Sequence, residues 1–232
     1  MRLVYNISMA NNKHSKIIVD LANGESSITD TLYRLKILAS DLDDTELLNW
    51  IEMELEGYKD NDAVPSYRMM RSPLYGKVQY VSLGAMITRD IPIPVKVEEL
   101  DKLRVGIREN ISSVEEWAGE KEDNRKMPYD VRLASQIADM NLSEMCQIMI
   151  AWFPMPASRF LEITNSVKNR LLDALMVLEK QYGNLDTYSI DFSDKKKNEA
   201  VGQYITNIIY NDNSVKIGSG NSINKSKVGD NE

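Results

Sequence analysis

A mainly helical α+β fold is predicted by three features of this sequence. Between residues 28 and 58, apolar side chains recur at helical spacing in two consecutive runs with only a few polar residues between them. Residues 75–91 are β-like, two short apolar strand runs divided by Gly84 and closed by prolines. After Pro156 a long stripe carries one uninterrupted helical face to Gly183.

Taken in order, a short helix is expected from Ser15 to Ala22, stopped by Asn23-Gly24. Ser27-Ile28-Thr29-Asp30 has the capping pattern that satisfies free amides at a helix start. Behind it Ile28, Leu32, Leu35, Ala39 and Leu42 share a face. A second helix restarts at Asp43-Asp44-Thr45-Glu46, with Asp43 as its cap and Leu47, Leu48, Ile51, Leu55 and Tyr58 as its stripe; Gly57 ends it. The short break makes an antiparallel helical hairpin. Val64-Pro65 breaks the pattern, and a β-hairpin follows, with Lys77–Val81 and Ala85–Thr88 about Gly84, closed by Pro92 and Pro94. Helical spacing is expected again over 98–110 through Leu100, Leu103 and Ile107, then a surface loop or short helix over 115–128. Residues 142–153 fit a buried strand or helix equally well. The long helix places Leu161, Val167, Leu171, Leu175, Leu178 and Tyr182 on its packing face. The organisation expected is a body, 1–185, a polar linker, 186–204, and a tail, 205–232, either flexible or amyloid-forming.

Composition narrows the function classes. A net charge of -7 argues against a generic nucleic-acid binder, which needs clustered Lys and Arg; Lys195-Lys196-Lys197 reads as a solubilising run. One cysteine, Cys146, in an apolar run, excludes a disulfide framework and reads as a core residue. With His14 as the single histidine, a Cys/His zinc centre is excluded. No leader-like segment opens the chain and nowhere do eighteen apolar residues run together, so a cytoplasmic, membrane-free protein is expected.

In the body, Tyr67-Arg68-Met69-Met70-Arg71 mixes aromatic and cationic side chains. Tyr67, Arg68 and Arg71 are therefore candidate ligand- or partner-binding residues for a phosphate or carboxylate, against the alternative of arginine stems lying along the core edge. Asp41, Asp43, Asp44 and Glu46 are numerous enough to bind a divalent ion, but helix-start roles account for them better. No catalytic set, metal site or cofactor is assigned. Trp50, Trp117 and Trp152 read as core or interface.

The body resembles the AbiTii-type domain of bacterial abortive-infection proteins. The likeness is carried by Ile18-Val19-Asp20-Leu21-Ala22, Glu46-Leu47-Leu48-Asn49-Trp50-Ile51, Glu54-Leu55-Glu56-Gly57-Tyr58, Pro65-Ser66-Tyr67-Arg68, Pro92-Ile93-Pro94 and Val167-Lys168-Asn169-Arg170-Leu171-Leu172. It implies defence against phage, in a module often joined to other domains, with no established reaction.

In the tail, N-x-x-K-[IV]-G occurs as Asn213 to Gly218 and again as Asn224 to Gly229. The tetrad Val215-Lys216-Ile217-Gly218, with Ile209-Tyr210-Asn211 and Asn221 around it, resembles the RIP homotypic interaction motif of necroptosis kinases and related innate-immune adaptors. That resemblance implies a functional amyloid templating the same motif on a partner. The residue chemistry agrees. Alternation puts Val215 and Ile217 on one face for a mating sheet, with Ile223 beyond the glycine corner. Asn211, Asn213 and Asn221 are placed for amide ladders. Lys216 stands where the motif has glutamine, and ammonium groups stacked ~4.8 Å apart repel by about 1 kcal/mol in water, so it must face solvent. The function expected is an anti-phage sensor or adaptor, partnered by itself and by an effector bearing a similar motif. The alternative is a metal-dependent nuclease or nucleotide-processing enzyme with a disordered tail.

Overall fold

The computed structural model describes residues 14–42, 44–121, 125–143, 145–186 and 190–210. The mainly helical α+β class holds: helices pack around one hydrophobic core and one antiparallel sheet closes a side of it.

Helix α1 (Lys16–Asn23) ends on Gly24 in the left-handed conformation, as the Asn-Gly pair predicts. α2 (Ile28–Leu42) starts with the Ser27 hydroxyl accepting from the Asp30 amide at 2.9 Å. Glu115, distant in sequence, also accepts from the Ile28 amide at 3.1 Å. α3 (Thr45–Glu56) completes the hairpin and ends at Gly57. Its cap is Asp44, whose Oδ1 accepts from the Leu47 amide at 2.9 Å, and not the expected Asp43.

Strand β1 (Met69–Arg71) pairs antiparallel with β4 (Arg104–Gly106) as a small two-stranded ribbon. The expectation of a helix over 98–110 is thereby corrected. Val97–Leu103 is a 3-10 segment with no buried residue, and the chain then extends so that Val105 and Ile107 enter the core as β4 pairs with β1. The predicted hairpin is β2 (Tyr75–Ser82) and β3 (Ala85–Pro92), joined by Leu83-Gly84. Both linking residues have positive φ, 51° and 78°, which matches the right-handed twist of the strands. α4 (Ile111–Ala118) is the short helix allowed for in the sequence, begun one turn earlier and capped by Asn110. β5 (Lys126–Tyr129) and α5 (Val131–Ile137) follow. The ambiguous run resolves as β6 (Cys146–Pro154), inserted between β2 and β5 in the order β3-β2-β6-β5.

Helix α6 (Ala157–Tyr182) is the central strut and touches α1, α2, α4 and α7. Phe160 and Ile163 lead its buried face, whereas Leu161, assigned to that face from the sequence, is 50% exposed. The last element departs most from expectation. From Lys195 the supposed polar linker is α7 (Lys195–Tyr210), with Val201, Ile205 and Ile209 buried against α6 and the helical hairpin. The first six residues of the expected tail, 205–210, therefore belong to the body.

Candidate functional site

Pro65 turns the chain into a single 3-10 turn, Ser66–Arg68, that presses Tyr67 and Arg68 against α3. The opposing residue is Glu54, on the apolar face of α3 one turn beyond Trp50 and Ile51. Glu54 and Arg68 are both 0% exposed. Arg68 Nε donates to Glu54 Oε1 at 3.0 Å, and Nη2 closes the fork on Oε2. Nη1 donates to the carbonyls of Ile107 and Glu109 at 3.1 and 2.8 Å. The Tyr58 and Tyr67 hydroxyls donate to Glu54 Oε1 at 2.8 and 2.7 Å, and the Tyr67 oxygen accepts from Trp50 Nε1 at 2.8 Å.

The electrostatics follow from this geometry. Burial, and then the neighbouring Glu54 charge, push both phenols far above the usual tyrosine range, so they remain donors. Burial disfavours the charged form of Arg68, but the Glu54 carboxylate more than offsets it, and the net direction is upward. Every nitrogen of Arg68 donates to a protein acceptor, so this guanidinium joins α3, the 3-10 turn and the segment after β4.

The network continues to the end of the body. The Arg170 guanidinium of α6 lies 4.2 Å over the Tyr67 ring, and its Nε donates to the Ile209 carbonyl at 2.8 Å. A cation thus meets the negative end of α7. Ile209 is 0% exposed, and Tyr210 is the last described residue.

A family model described as AbiTii matches residues 14–204. The chain belongs to the AbiTii family. Membership indicates a part in abortive infection, a form of phage defence. No curated protein and no solved structure matches the chain. The AbiTii match begins at His14, where the described structure begins, and stops inside α7, short of the tail repeats.

The sequence-predicted site residues of this AbiTii chain fall in three places. Tyr67 and Arg68 meet in the buried network. Arg71 is separate, exposed on β1 and 3.4 Å from Asp101. Asn211, Asn213, Val215, Lys216, Ile217, Gly218, Asn221 and Ile223 lie outside the described residues. Of the acidic group, Asp41, Asp44 and Glu46 line a groove facing α7, and Asp43 lies outside the described residues. Among the described residues no three acids, histidines or cysteines are placed to hold a metal ion, and no helix is long and apolar enough to cross a membrane. Cys146 is half-buried at the start of β6. His14 Nδ1 donates to Glu179 Oε2 at 2.8 Å. Lys197 lies 4.4 Å over the Tyr182 ring and fastens α7 to α6. Sequence reasoning set Tyr58 on the apolar stripe but gave no site role to it, to Glu54 or to Arg170. The available signal was the spacing 47, 50, 51, 54, 58, which puts one carboxylate on an otherwise apolar stripe and calls for a buried cation.

Proposed function

We propose that this AbiTii protein is a phage-defence sensor or adaptor whose body presents a self-associating tail. The observation that carries the reading is the docking of α7. With Ile209 buried and its carbonyl held by Arg170, the tail leaves the body at a fixed point instead of from a long linker. The assembling stretch is then 211–232, which retains both N-x-x-K-[IV]-G repeats.

Energetics favour stacking once copies are brought together. Burying Val215 and Ile217 in a mating sheet contributes about 1.5–3 kcal/mol each, against ~1 kcal/mol of repulsion per stacked Lys216. Clustering of bodies on an infection cue raises the local tail concentration and overcomes nucleation. The partners are further copies of this chain and an effector with a similar motif.

Ile217→Asp tests the reading in the full chain. Seeded fibre formation, followed by thioflavin fluorescence, is expected to vanish, and protection of cells against phage to disappear with it. Protection that survives intact in Ile217→Asp would refute the tail's role while leaving family membership untouched.

A further inference from the structure

β3 is an edge of the four-stranded sheet, hydrogen-bonded to β2 and to no other described strand. Edges of this kind are ordinarily kept short, bulged or covered, because unpaired amides and carbonyls template a further strand. This one runs from Ala85 to Pro92 in unbroken register with β2, and only Ile87 and Ile91 on it are even partly buried. At the hairpin tip Leu83 is fully exposed and has positive φ, where Gly, Asn or Asp is the usual choice. With Val81 and Met86 it leaves apolar surface open to water.

The free backbone groups of the edge follow from the alternation of an antiparallel ladder, in which successive residues turn their N–H and C=O to opposite neighbours. The Val81 amide donates to the Met145 carbonyl at 3.1 Å, so the odd-numbered residues of β2 face β6 and the even-numbered ones face β3. Their partners on β3 are Ala85, Ile87, Arg89 and Ile91. The Ile93 amide, donating to the Leu74 carbonyl at 2.8 Å, keeps the same alternation. Met86, Thr88 and Asp90 therefore turn both backbone groups to the open edge, and Pro92, which has no N–H, ends the run.

We propose that a second copy of this chain occupies that edge, β3 antiparallel to β3, about a twofold axis at Thr88. A twofold between antiparallel strands sets one residue opposite its twin. With Thr88 on the axis, Met86 lies opposite Asp90 of the second copy, and every outward residue exchanges hydrogen bonds. Charge selects this register. Arg89 then lies opposite Ile87 of the second copy, whereas an axis at Arg89 would face two guanidinium groups across the closest pair. An axis at Ile87 would leave Asp90 opposite the turn residue Gly84 and shorten the ladder. Asp90 is balanced on its own sheet by Lys126, 3.7 Å away. The Thr88 register also carries the exposed Leu83 of each copy alongside Pro92-Ile93-Pro94 of the other, which covers the apolar tip. The surface removed from water is on the order of 1,000–1,200 Å², the size of a weak, reversible interface. The pairing involves the body alone and stands whether or not the tail assembles.

Sedimentation equilibrium of the full chain is expected to show a monomer–dimer equilibrium with a Kd on the order of 10 μM, unchanged in Ile217→Asp. Thr88 is exposed, so a charge there is tolerated by the monomer. Thr88→Asp and Thr88→Lys, each alone, are expected to weaken the dimer about tenfold, since like charges then oppose at ~5.5 Å. Mixing the two variants is expected to restore association, as an axis at Thr88 requires. In hydrogen exchange the amides of Met86, Thr88 and Asp90 should gain protection as concentration rises, while those of Ile87 and Arg89 are protected throughout. A wild-type chain still monomeric at about ten times that Kd would overturn the proposal. So would a dimer indifferent to both charge variants, or edge amides protected equally at every concentration, which would assign the edge to a segment of the same chain. Should a charge at position 88 unfold the hairpin, the exchange pattern of the unsubstituted chain still decides.

Discussion

At the scale of single residues, the pair Glu54–Arg68 sets the largest local risk in the molecule. Neither side chain reaches solvent, so each is tolerable only because the other is present. Deleting one member of such a pair costs about 3–5 kcal/mol, because the survivor becomes an uncompensated buried charge. In Arg68→Ala the carbonyls of Ile107 and Glu109 also lose their donor. Arg71, three residues on, meets Asp101 in water, where ion pairs contribute little. Urea denaturation is therefore expected to show Arg68→Ala destabilised by about 3–5 kcal/mol and Arg71→Ala almost unchanged. Similar losses in the two variants would contradict the division drawn between them. The ligand role considered for Tyr67 and Arg68 from sequence alone illustrates what composition cannot show. A Tyr-Arg pair after a proline reads as exposed until the facing carboxylate is known, and that carboxylate lies thirteen and fourteen residues upstream.

At the scale of elements, the helical hairpin, the β-hairpin and α6 were legible because each carries its own period and its own stop signal. The 98–110 segment and α7 were not, for different reasons. Leu100 and Leu103 imitate a helical stripe, but β1 supplies an open edge that the extended chain can pair with, and that partner is invisible to a local window. In α7 the asparagines and Gly202 depress helix propensity and the lysine run stands at the positive N-terminal end, so the stripe Asn198, Val201, Ile205, Ile209 is outweighed unless its packing surface is known. Gly202 is there for closeness of approach. A Cβ at that position would lie 2.2 Å from Asp44 Oδ2 and 3.0 Å from Asp44 Cβ, at the cap of α3. Gly202→Ala thus gains about 1 kcal/mol of helix propensity and loses about 1–3 kcal/mol to overpacking, with the α3 cap also disturbed. Net destabilisation is the expected outcome. Hydrogen exchange should locate it in α7 and the first turn of α3, with the sheet unaffected. Faster exchange spread evenly over the body, or none at all, would show that the two helices are not in the tight contact described.

At the scale of the whole molecule, the start of α1 is fastened to the end of α6 and the turn that follows it. The amide and hydroxyl of Ser15 both donate to Glu179 Oε1 at 2.5 Å, and the hydroxyl accepts from the Leu185 amide at 2.9 Å. The Asp186 carboxylate then takes the first free amides of α1, Lys16 at 2.7 Å and Ile17 at 3.3 Å. Residues some 165 positions apart thus satisfy the free amides at the start of α1. The sequence announces α1 and the end of α6 separately and gives no sign of this joining, since each acid reads as an ordinary surface charge. The joint has a pH signature. Partial burial alone would raise the Glu179 carboxyl, but the hydrogen bonds from Ser15 and His14 outweigh it and hold the group below the usual carboxylate range. A depressed native pKa means that the unfolded chain takes up the proton first as pH falls. The contribution is therefore whole above about pH 4.3 and is lost as pH drops through the native value. Glu179→Gln keeps the shape and removes the charge. At neutral pH it is expected to cost about 1–3 kcal/mol, the range for a hydrogen bond to a charged group or for leaving its buried partner unsatisfied. At a pH below both carboxyl values the wild-type advantage should shrink towards zero. Denaturant titrations of the two proteins at pH 7 and pH 3 measure that difference directly. An advantage that stays constant between the two would mean that Glu179 closes the fold by packing, not by its charge.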